Sequence, residues 1–262
     1  MSGTALPGSA APMPGSQRSD SPAPDYSVPA LDKALDILEL LAARSGGLSQ
    51  AAIAEAVGRS VSQVFRVLQT LEGRGYLVRE ERSGLYRLSM QLFTLAHRQE
   101  PLRGLETAAL PAMRAFADEV RQSCNLGVLS AGRVLVLAQV ESPANFGFRV
   151  RVGSEFPLEG TATGAVLAAF GEESVTEPWL SGLSRGARDR VDRVRLRGFE
   201  RADDSLQPGI TDIVFPVFGR GGSAVAALTV PYVSTSFSAA RTHQVEARAR
   251  AAAETISGAL GH

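Results

Sequence analysis

The sequence is poor in the residues that build metal sites and covalent cross-links. Its 262 residues include one cysteine, Cys124, and three histidines, His97, His243 and His262. A single cysteine cannot form an internal disulfide, and no Cys/His cluster has the spacing of metal ligands. We therefore exclude a disulfide framework and a structural zinc site, and we interpret Cys124 as a small buried hydrophobic residue rather than a redox sensor.

An excess of charge of one sign is also missing. Lys and Arg together number 27, and so do Asp and Glu. The chain therefore has no overall basic field that would attract DNA or an anionic membrane. Any nucleic-acid binding must come from a local patch.

Long apolar runs are missing too. The longest run lies near residues 162–170, far short of the roughly 20 residues that span a bilayer. The opening sequence MSGTALPGSA has neither the basic start nor the apolar segment of a signal peptide. We therefore expect a cytoplasmic protein with no membrane partner.

Short motifs typical of enzymes do not occur. The sequence contains no G-x-S-x-G elbow, no P-loop and no dinucleotide-binding fingerprint. His97 and His243 have no evident Ser or Cys partner in the sequence. We therefore expect a binding protein that is not an enzyme and needs no cofactor.

The composition changes after the first 27 residues. Residues 1–27 are rich in Pro, Gly, Ser and Ala, which bury too little apolar surface to offset chain entropy, so we predict a disordered tail. From Pro29, apolar residues recur at helical spacing to about Arg44, where Ser45-Gly46-Gly47 ends the predicted helix.

Two short helices follow. Ser49 is positioned to cap a helix over 50–57, and Gly58 suits the left-handed turn after it. Ser60 is positioned to cap a third helix. The predicted inward face of that helix consists of Val61, Val64, Val67, Leu68 and Leu71.

A β-hairpin completes the first half of the chain. Two β-like runs, 76–79 and 85–88, flank Gly84. Helices followed by a hairpin are typical of a winged helix-turn-helix, in which polar side chains at the start of the recognition helix reach base edges and neighbouring ones bind phosphates. The predicted DNA-binding residues are Ser49, Gln50, Arg59, Ser60, Ser62, Gln63, Arg66, Arg82 and Arg87.

The same residues allow a second interpretation. Basic and acidic residues nearly balance between positions 26 and 100. Winged trihelical modules also serve as protein docking units. The alternative to DNA binding is therefore a metabolite-sensing protein whose winged module docks another protein.

The second half predicts an α+β fold. A linker helix over 90–101 leads into a helix from Leu105 to Val120. Strands are predicted over 126–129, 134–140, 146–152, 213–218 and 224–230, and further helices over 163–170, 191–197 and 244–260. Because strands and helices alternate without a regular βαβ rhythm, we predict one mainly antiparallel sheet.

Several ordered motifs resemble the isocitrate lyase regulator (IclR) family of bacterial transcription factors. In the first half these are SVPALDKALDILELL from Ser27, GLSQ from Gly47, LEGRGY from Leu71 and YRL from Tyr86. In the second half they are VESP from Val140, RVGSEFPL from Arg151, TATG from Thr161 and Pro208-Gly209. The resemblance covers about residues 28–260.

The resemblance implies that different segments of the chain have different functions. The family has a winged helix-turn-helix, here 28–89, a linker helix, here 90–101, and a GAF-like domain for effector binding and oligomerisation, here 102–262. Members act as a dimer or a dimer of dimers on double-stranded operator DNA. A small-molecule effector shifts operator affinity only if it binds one arrangement better, typically with about 1–3 kcal/mol of coupling.

The effector site is predicted from the second half of the chain. We expect Phe146 and Phe148 as pocket walls, with ordinary sheet packing as the alternative. The segment Gly160, Thr161, Ala162, Thr163 and Gly164 is expected to direct backbone N–H groups at ligand oxygens, with a tight helix start as the alternative.

The resemblance also indicates which ligand groups are replaced here. Many members hold a carboxylate with a Cys after the Pro-Gly turn and two Ser on the next strand, and the matching positions are Asp212, Thr229 and Pro231. An ionised Asp212 facing the pocket would repel a small acid. We therefore predict a neutral hydroxylated effector, such as a sugar derivative, or a cation.

Overall fold

The computed structural model describes residues 28–98, 100–204, 207–233 and 242–262. The tail predicted over 1–27 lies outside these ranges. The chain divides into two compact units that meet in sequence between Thr94 and Leu95. None of the helices in the described ranges combines the length and the apolar character needed to cross a bilayer.

The first unit contains three helices and a two-stranded antiparallel hairpin, and a further helix follows at its boundary. These elements are α1 (Pro29–Ala42), α2 (Gln50–Ala56), α3 (Val61–Gly73), β1 (Leu77–Arg79), β2 (Tyr86–Leu88) and α4 (Gln91–His97). The predicted order of helices and hairpin is confirmed.

Local capping explains where α2 and α3 begin. The backbone N–H of Ala52 donates to Ser49 Oγ at 3.2 Å, and that of Gln63 donates to Ser60 Oγ at 3.4 Å. Gly58 has φ +62°, as the tight turn between the helices requires. Both predicted N-caps are therefore confirmed.

The core of the first unit fixes the orientation of α3. Its buried residues are Ile37, Leu41, Ile53, Ala54, Val64, Leu68, Leu71, Leu77 and Tyr86. The prediction that Val61 faces inward is wrong, because its side chain is 50% exposed. At 100° per residue, Val61 lies at the edge of the stripe formed by Val64, Leu68 and Leu71 and does not reach the core.

The second unit is built on one six-stranded sheet. Its elements are α5 (Glu100–Val120), β3 (Cys124–Ser130), β4 (Arg133–Val140), β5 (Glu155–Pro157), α6 (Ala162–Phe170), α7 (Glu173–Leu180), α8 (Arg185–Arg197), β6 (Glu200–Asp203), β7 (Ile210–Phe218), β8 (Ala224–Val233) and α9 (Thr242–Ala259). The strand order is β5-β4-β3-β8-β7-β6, and every pair is antiparallel. The predicted α+β class is confirmed.

Two apolar clusters cover the two faces of this sheet. Helices α5 and α9 pack on one face through residues such as Met113, Phe116 and Ile256. Helix α6 packs on the other face through Val166 and its neighbours, and Val194 of α8 joins that cluster. The sheet is thus the middle of three layers.

The strand predicted over 146–152 is wrong. Its alternation does not follow a sheet face, since Phe146 is 64% exposed, and the strand that pairs with β4 is β5. The Ser154 N–H donates to the carbonyl of Arg151 at 3.0 Å and Gly153 has φ +85°, so residues 151–154 form a turn just before β5.

Candidate DNA interface and effector pocket

Helix α3 presents a mostly polar face that its own core contacts leave free. Because Val64, Leu68 and Leu71 are buried, the opposite side of the helix is turned outward. The exposed residues are Val61, Ser62, Gln63, Phe65, Arg66, Gln69 and Thr70. Five of these seven side chains are polar or charged, as groove recognition requires.

Two of the predicted arginines, Arg66 on α3 and Arg59 in the turn before it, form no ion pair or hydrogen bond through their side chains with the described residues. Both side chains are exposed. Ser62 is also exposed, and its hydroxyl lies 3.2 Å from that of Ser60. The arginines are therefore solvated cations that an anionic partner would pair.

Some predicted contact residues have structural roles. Ser49 and Ser60 accept the capping hydrogen bonds of α2 and α3. The side-chain amide of Gln50 donates to the carbonyl of Val61 at 3.1 Å, which ties the start of α2 to the start of α3. Gln50 thus holds the start of α3 in place.

The hairpin carries the remaining two predicted residues. Arg82 is exposed in the turn between β1 and β2. On β2, an Arg87 guanidinium nitrogen lies 3.4 Å from a carboxylate oxygen of Glu80, and both side chains are exposed. A phosphate would have to replace this Glu80 contact, whereas Arg82 has no such partner in the described part of the chain.

A cavity of about 300 Å³ opens on the face of the sheet that carries α6. Its apolar lining consists of Val134, Val136, Phe148, Val150, Phe156 and Pro231. Its uncharged polar and acidic lining includes Asn125, Thr161, Thr163, Asp204, Asp212 and Thr229, and Arg149 and Arg151 add positive charge. This mixture suits a small polar molecule with an apolar skeleton.

The three positions matched to the family's carboxylate-binding groups come together in this cavity. Asp212 on β7 lies opposite Pro231 on β8, and Thr229 is two residues along β8, so all three line one wall. The Thr229 and Thr163 hydroxyl oxygens lie 2.7 Å apart and are buried. This contact joins α6 to the sheet at the floor of the site.

The carboxyl of Asp212 has an altered proton affinity. Burial, and to a smaller extent the Asp204 carboxylate, raise its pKa from 3.8 to about 7, and the Arg190 guanidinium opposes the shift. The group is therefore divided between its acid and anionic forms near neutral pH. Asp212 both donates and accepts hydrogen bonds in that range.

The other predicted pocket residues divide between the cavity and its surroundings. Phe148, Thr161 and Thr163 line the cavity, whereas the exposed Phe146 does not. Ala162 is buried in the apolar cluster between α6 and the sheet. Placing Phe146 in the wall failed because it depended on the strand that does not form.

The glycines of the predicted loop lie beside the cavity. Gly160 and Gly164 line a neighbouring groove between α6 and α8. The Gly164 N–H donates to Thr161 Oγ1 at 3.1 Å. This hydrogen bond caps the start of α6, so the Gly164 N–H is not directed at a ligand. A Cβ at Gly164 would lie 2.0 Å from the Leu158 carbonyl oxygen, which explains why glycine is required there.

Residues that the sequence did not single out complete both sites. In the cavity these include Asp204, Arg149 and Arg151, and on α3 they are the exposed apolar residues Val61 and Phe65. Only Phe65 had a local signal, since it falls outside the helical stripe of predicted buried positions, whereas Val61 falls within that predicted stripe. The described part of the chain contains no group of three or more metal-ligating side chains.

Both units of the chain match known protein families. The IclR helix-turn-helix domain matches residues 30–81, and the C-terminal domain of bacterial IclR transcriptional regulators matches residues 102–258. The chain belongs to the IclR family. Its two units are thus the DNA-binding and effector-binding domains of a transcriptional regulator.

Individual relatives agree along nearly the whole chain. The regulator KdgR of Escherichia coli K12 is 29% identical over 249 residues, which are 90% of this chain and 94% of that protein. The regulator Rv1719 of Mycobacterium tuberculosis is 31% identical over 216 residues, covering 78% of this chain and 82% of that one.

Solved structures of the IclR family share the fold. HmgR of Pseudomonas aeruginosa is 26% identical, with a TM-score of 0.67 over 90% of this chain and 100% of that one. An IclR homologue from Microbacterium hydrocarbonoxydans, complexed with 4-hydroxybenzoate, is 24% identical, with a TM-score of 0.73 over 88% of this chain and 98% of that one.

Proposed function

We propose that α3 and the hairpin bind operator DNA and that the cavity beside Asp212 binds the effector. The observation that carries the first part is that Arg66, on the face of α3 that the core leaves free, and Arg59, in the turn before α3, are both exposed. Ser62, Gln63 and Arg66 contact base edges, because they lie near the start of the recognition helix. Arg59 and Arg82 contact phosphates.

The regulator acts as a dimer or a dimer of dimers. A two-fold dimer places two recognition helices at half-sites about one helical turn apart. Helix α1 supports this proposal, since Leu31 and Leu35, one turn apart, are 55% and 46% exposed. An apolar row of this kind is suited to the same row of a second copy.

The effector is a neutral, hydroxylated small molecule. Arg149 is already paired with Glu141 at 3.1 Å, and Asp212 is partly protonated near neutral pH. Arg151 and Asp204 are therefore the main opposing charges of the lining, which favours neither an anion nor a cation strongly. Asn125, Thr161 and Asp212 supply the hydrogen-bonding groups that hydroxyls need. Arg151 disfavours the cation that the sequence left as an option.

The protein has no catalytic role in this proposal. Its titratable pocket residue, Asp212, binds the effector, and the output is a change in operator affinity through linkage. The regulator acts in the cytoplasm, where it meets chromosomal DNA.

Selection from a random duplex library tests the DNA part. The full chain is expected to enrich one sequence with two-fold symmetry, and a gel shift at two salt concentrations should show tighter binding to it than to random DNA. Failure to enrich any sequence, together with capture of a specific protein by residues 28–98, would support the docking alternative instead.

Isothermal titration tests the effector part. A panel of sugars, polyols and small carboxylates is titrated into the wild-type chain and into Asp212→Ala. Binding of a neutral polyol or sugar that weakens in the variant supports the proposal. Tight binding of a simple carboxylate that is undiminished in Asp212→Ala contradicts it.

A further inference from the structure

Helix α3 has two exposed apolar side chains at the border of its exposed polar face. Val61 is 50% exposed and Phe65 is 45% exposed. The buried stripe of the same helix is already filled by Val64, Leu68 and Leu71. Packing within the unit therefore does not account for a phenylalanine at this position.

The two side chains form one row beside the predicted base-reading residues. Val61 and Phe65 are four residues apart, so they lie one above the other on one side of the helix. Ser62 and Arg66 follow each of them by one residue, about 100° further round the helix. The apolar row thus borders the polar face along its length.

The major groove offers one apolar group to such a row. Guanine, cytosine and adenine present only hydrogen-bonding groups there, whereas thymine also presents its 5-methyl group. An exposed phenyl ring gains from contact with a methyl group and gains little from carbonyl or amino groups. The chemistry of the row therefore matches thymine.

We propose that Phe65, supported by Val61, reads thymine methyl groups in each operator half-site. The inference rests on the proposed docking of α3 in the major groove. It assigns a thymine to the base pairs next to those contacted by Ser62 and Arg66, with recognition by the methyl group rather than by a hydrogen bond.

Replacing thymine by deoxyuridine isolates this contact, because only the methyl group is removed. The probe is the duplex that the full chain selects from a random library, with each thymine replaced singly. Wild-type protein is expected to lose about fourfold in affinity at one or two positions per half-site, the value for one buried methyl-sized group. Uniform affinity across all replacements would overturn the inference.

Variants assign the effect to the side chain. Phe65→Ala should bind the thymine and deoxyuridine duplexes equally, and Phe65→Leu should keep part of the difference. Val175→Ala, which truncates an apolar side chain that is also 50% exposed but lies on α7 of the other unit, is the matched control and should behave as wild type. If Phe65→Ala keeps the full thymine preference, the assignment is wrong.

Operator binding by α3 and methyl recognition by Phe65 can be tested separately. A chain that selects no duplex overturns the proposed function and this inference with it. A chain that selects a symmetric duplex without any methyl-sensitive thymine leaves the proposed function intact and overturns this inference alone. The wild-type scan gives that answer without depending on the folding of a variant.

Discussion

The two units of the chain handle charge in opposite ways. In the DNA-binding unit, Arg59 and Arg66 are exposed, and among the described residues no protein group neutralises them. In the effector unit, Asp212 lies within the influence of Asp204 and Arg190, and burial raises its pKa to about 7. The positive charges of the first site are thus left for a bound anion to neutralise. The charges of the second site are largely neutralised by other protein groups before a ligand binds.

This difference teaches how each site is held in place. The exposed face of α3 depends on a rigid scaffold, which the buried side chains of the helix provide. The cavity depends on contacts between its own lining groups, such as the buried Thr163–Thr229 hydrogen bond. Substitutions should therefore affect the two sites through different properties.

The largest expected effect comes from the scaffold of α3. Leu68 is fully buried, so Leu68→Ala should destabilise the first unit by about 2–5 kcal/mol through lost contacts and a cavity. Urea unfolding should show an early transition that abolishes duplex binding. Leu196→Ala, at a side chain that is 90% exposed, is the control and should change stability little. An unchanged transition in Leu68→Ala would contradict the scaffold role.

The next effect tests the exposed cations. Arg66→Ala and Gln63→Ala should each weaken binding to the selected duplex by about 1–3 kcal/mol if they contact bases, with smaller losses on random DNA. Gel shifts on both duplexes measure the two losses, and Arg185→Ala in the effector unit is a charge-matched control. Equal losses on both duplexes would make Arg66 a phosphate contact.

A smaller effect tests the raised pKa of Asp212 through the pH dependence of stability. A carboxyl whose pKa is about 7 when folded and about 3.9 when unfolded binds more protons in the folded state between these values. Its contribution to stability therefore declines as pH rises through that interval. Thermal scans should show a falling midpoint towards pH 7, and Asp212→Asn should flatten the slope. The same slope in the variant would rule out Asp212 as its origin.

The smallest effect concerns the hairpin. There Arg87 is a proposed phosphate contact, but it already has a carboxylate partner within the protein, Glu80. Glu80 already neutralises part of Arg87, and such exposed ion pairs contribute about 0–1 kcal/mol. Glu80→Gln should therefore leave stability nearly unchanged while modestly tightening duplex binding, and Arg87→Ala should reduce the salt slope by about one if Arg87 contacts phosphate. Salt-dependent gel shifts measure both, and an unchanged slope in Arg87→Ala would exclude the phosphate contact.

Features with local causes were predictable from the sequence. Ser49 and Ser60 cap the helices that follow them, and Gly58 turns between those helices, because each interaction spans only a few residues. The motifs of the second half also led to Asp212, Thr229 and Pro231, which line one cavity.

Features that depend on distant partners were not predictable. The alternation over 146–152 has the period of a strand, but Phe146 is exposed and the strand that pairs with β4 is β5. The raised pKa of Asp212 depends first on its burial and then on the charges of Asp204 and Arg190, all of which arise only when the chain folds. The helical spacing of the apolar residues predicts an inward Val61, but its side chain is exposed at the edge of the buried stripe, because spacing alone does not show how far the core extends around a helix.

Directed DNA cleavage tests the central claim, that α3 enters the major groove, most directly. Cys124 is buried and its pKa is raised to about 12, so a cysteine introduced by Gln69→Cys on the exposed face of α3 is labelled selectively with a cleaving iron chelate. We predict cuts in the selected duplex at two sites about one helical turn apart. Cuts no more frequent than those from the same chelate on Leu196→Cys would contradict the account.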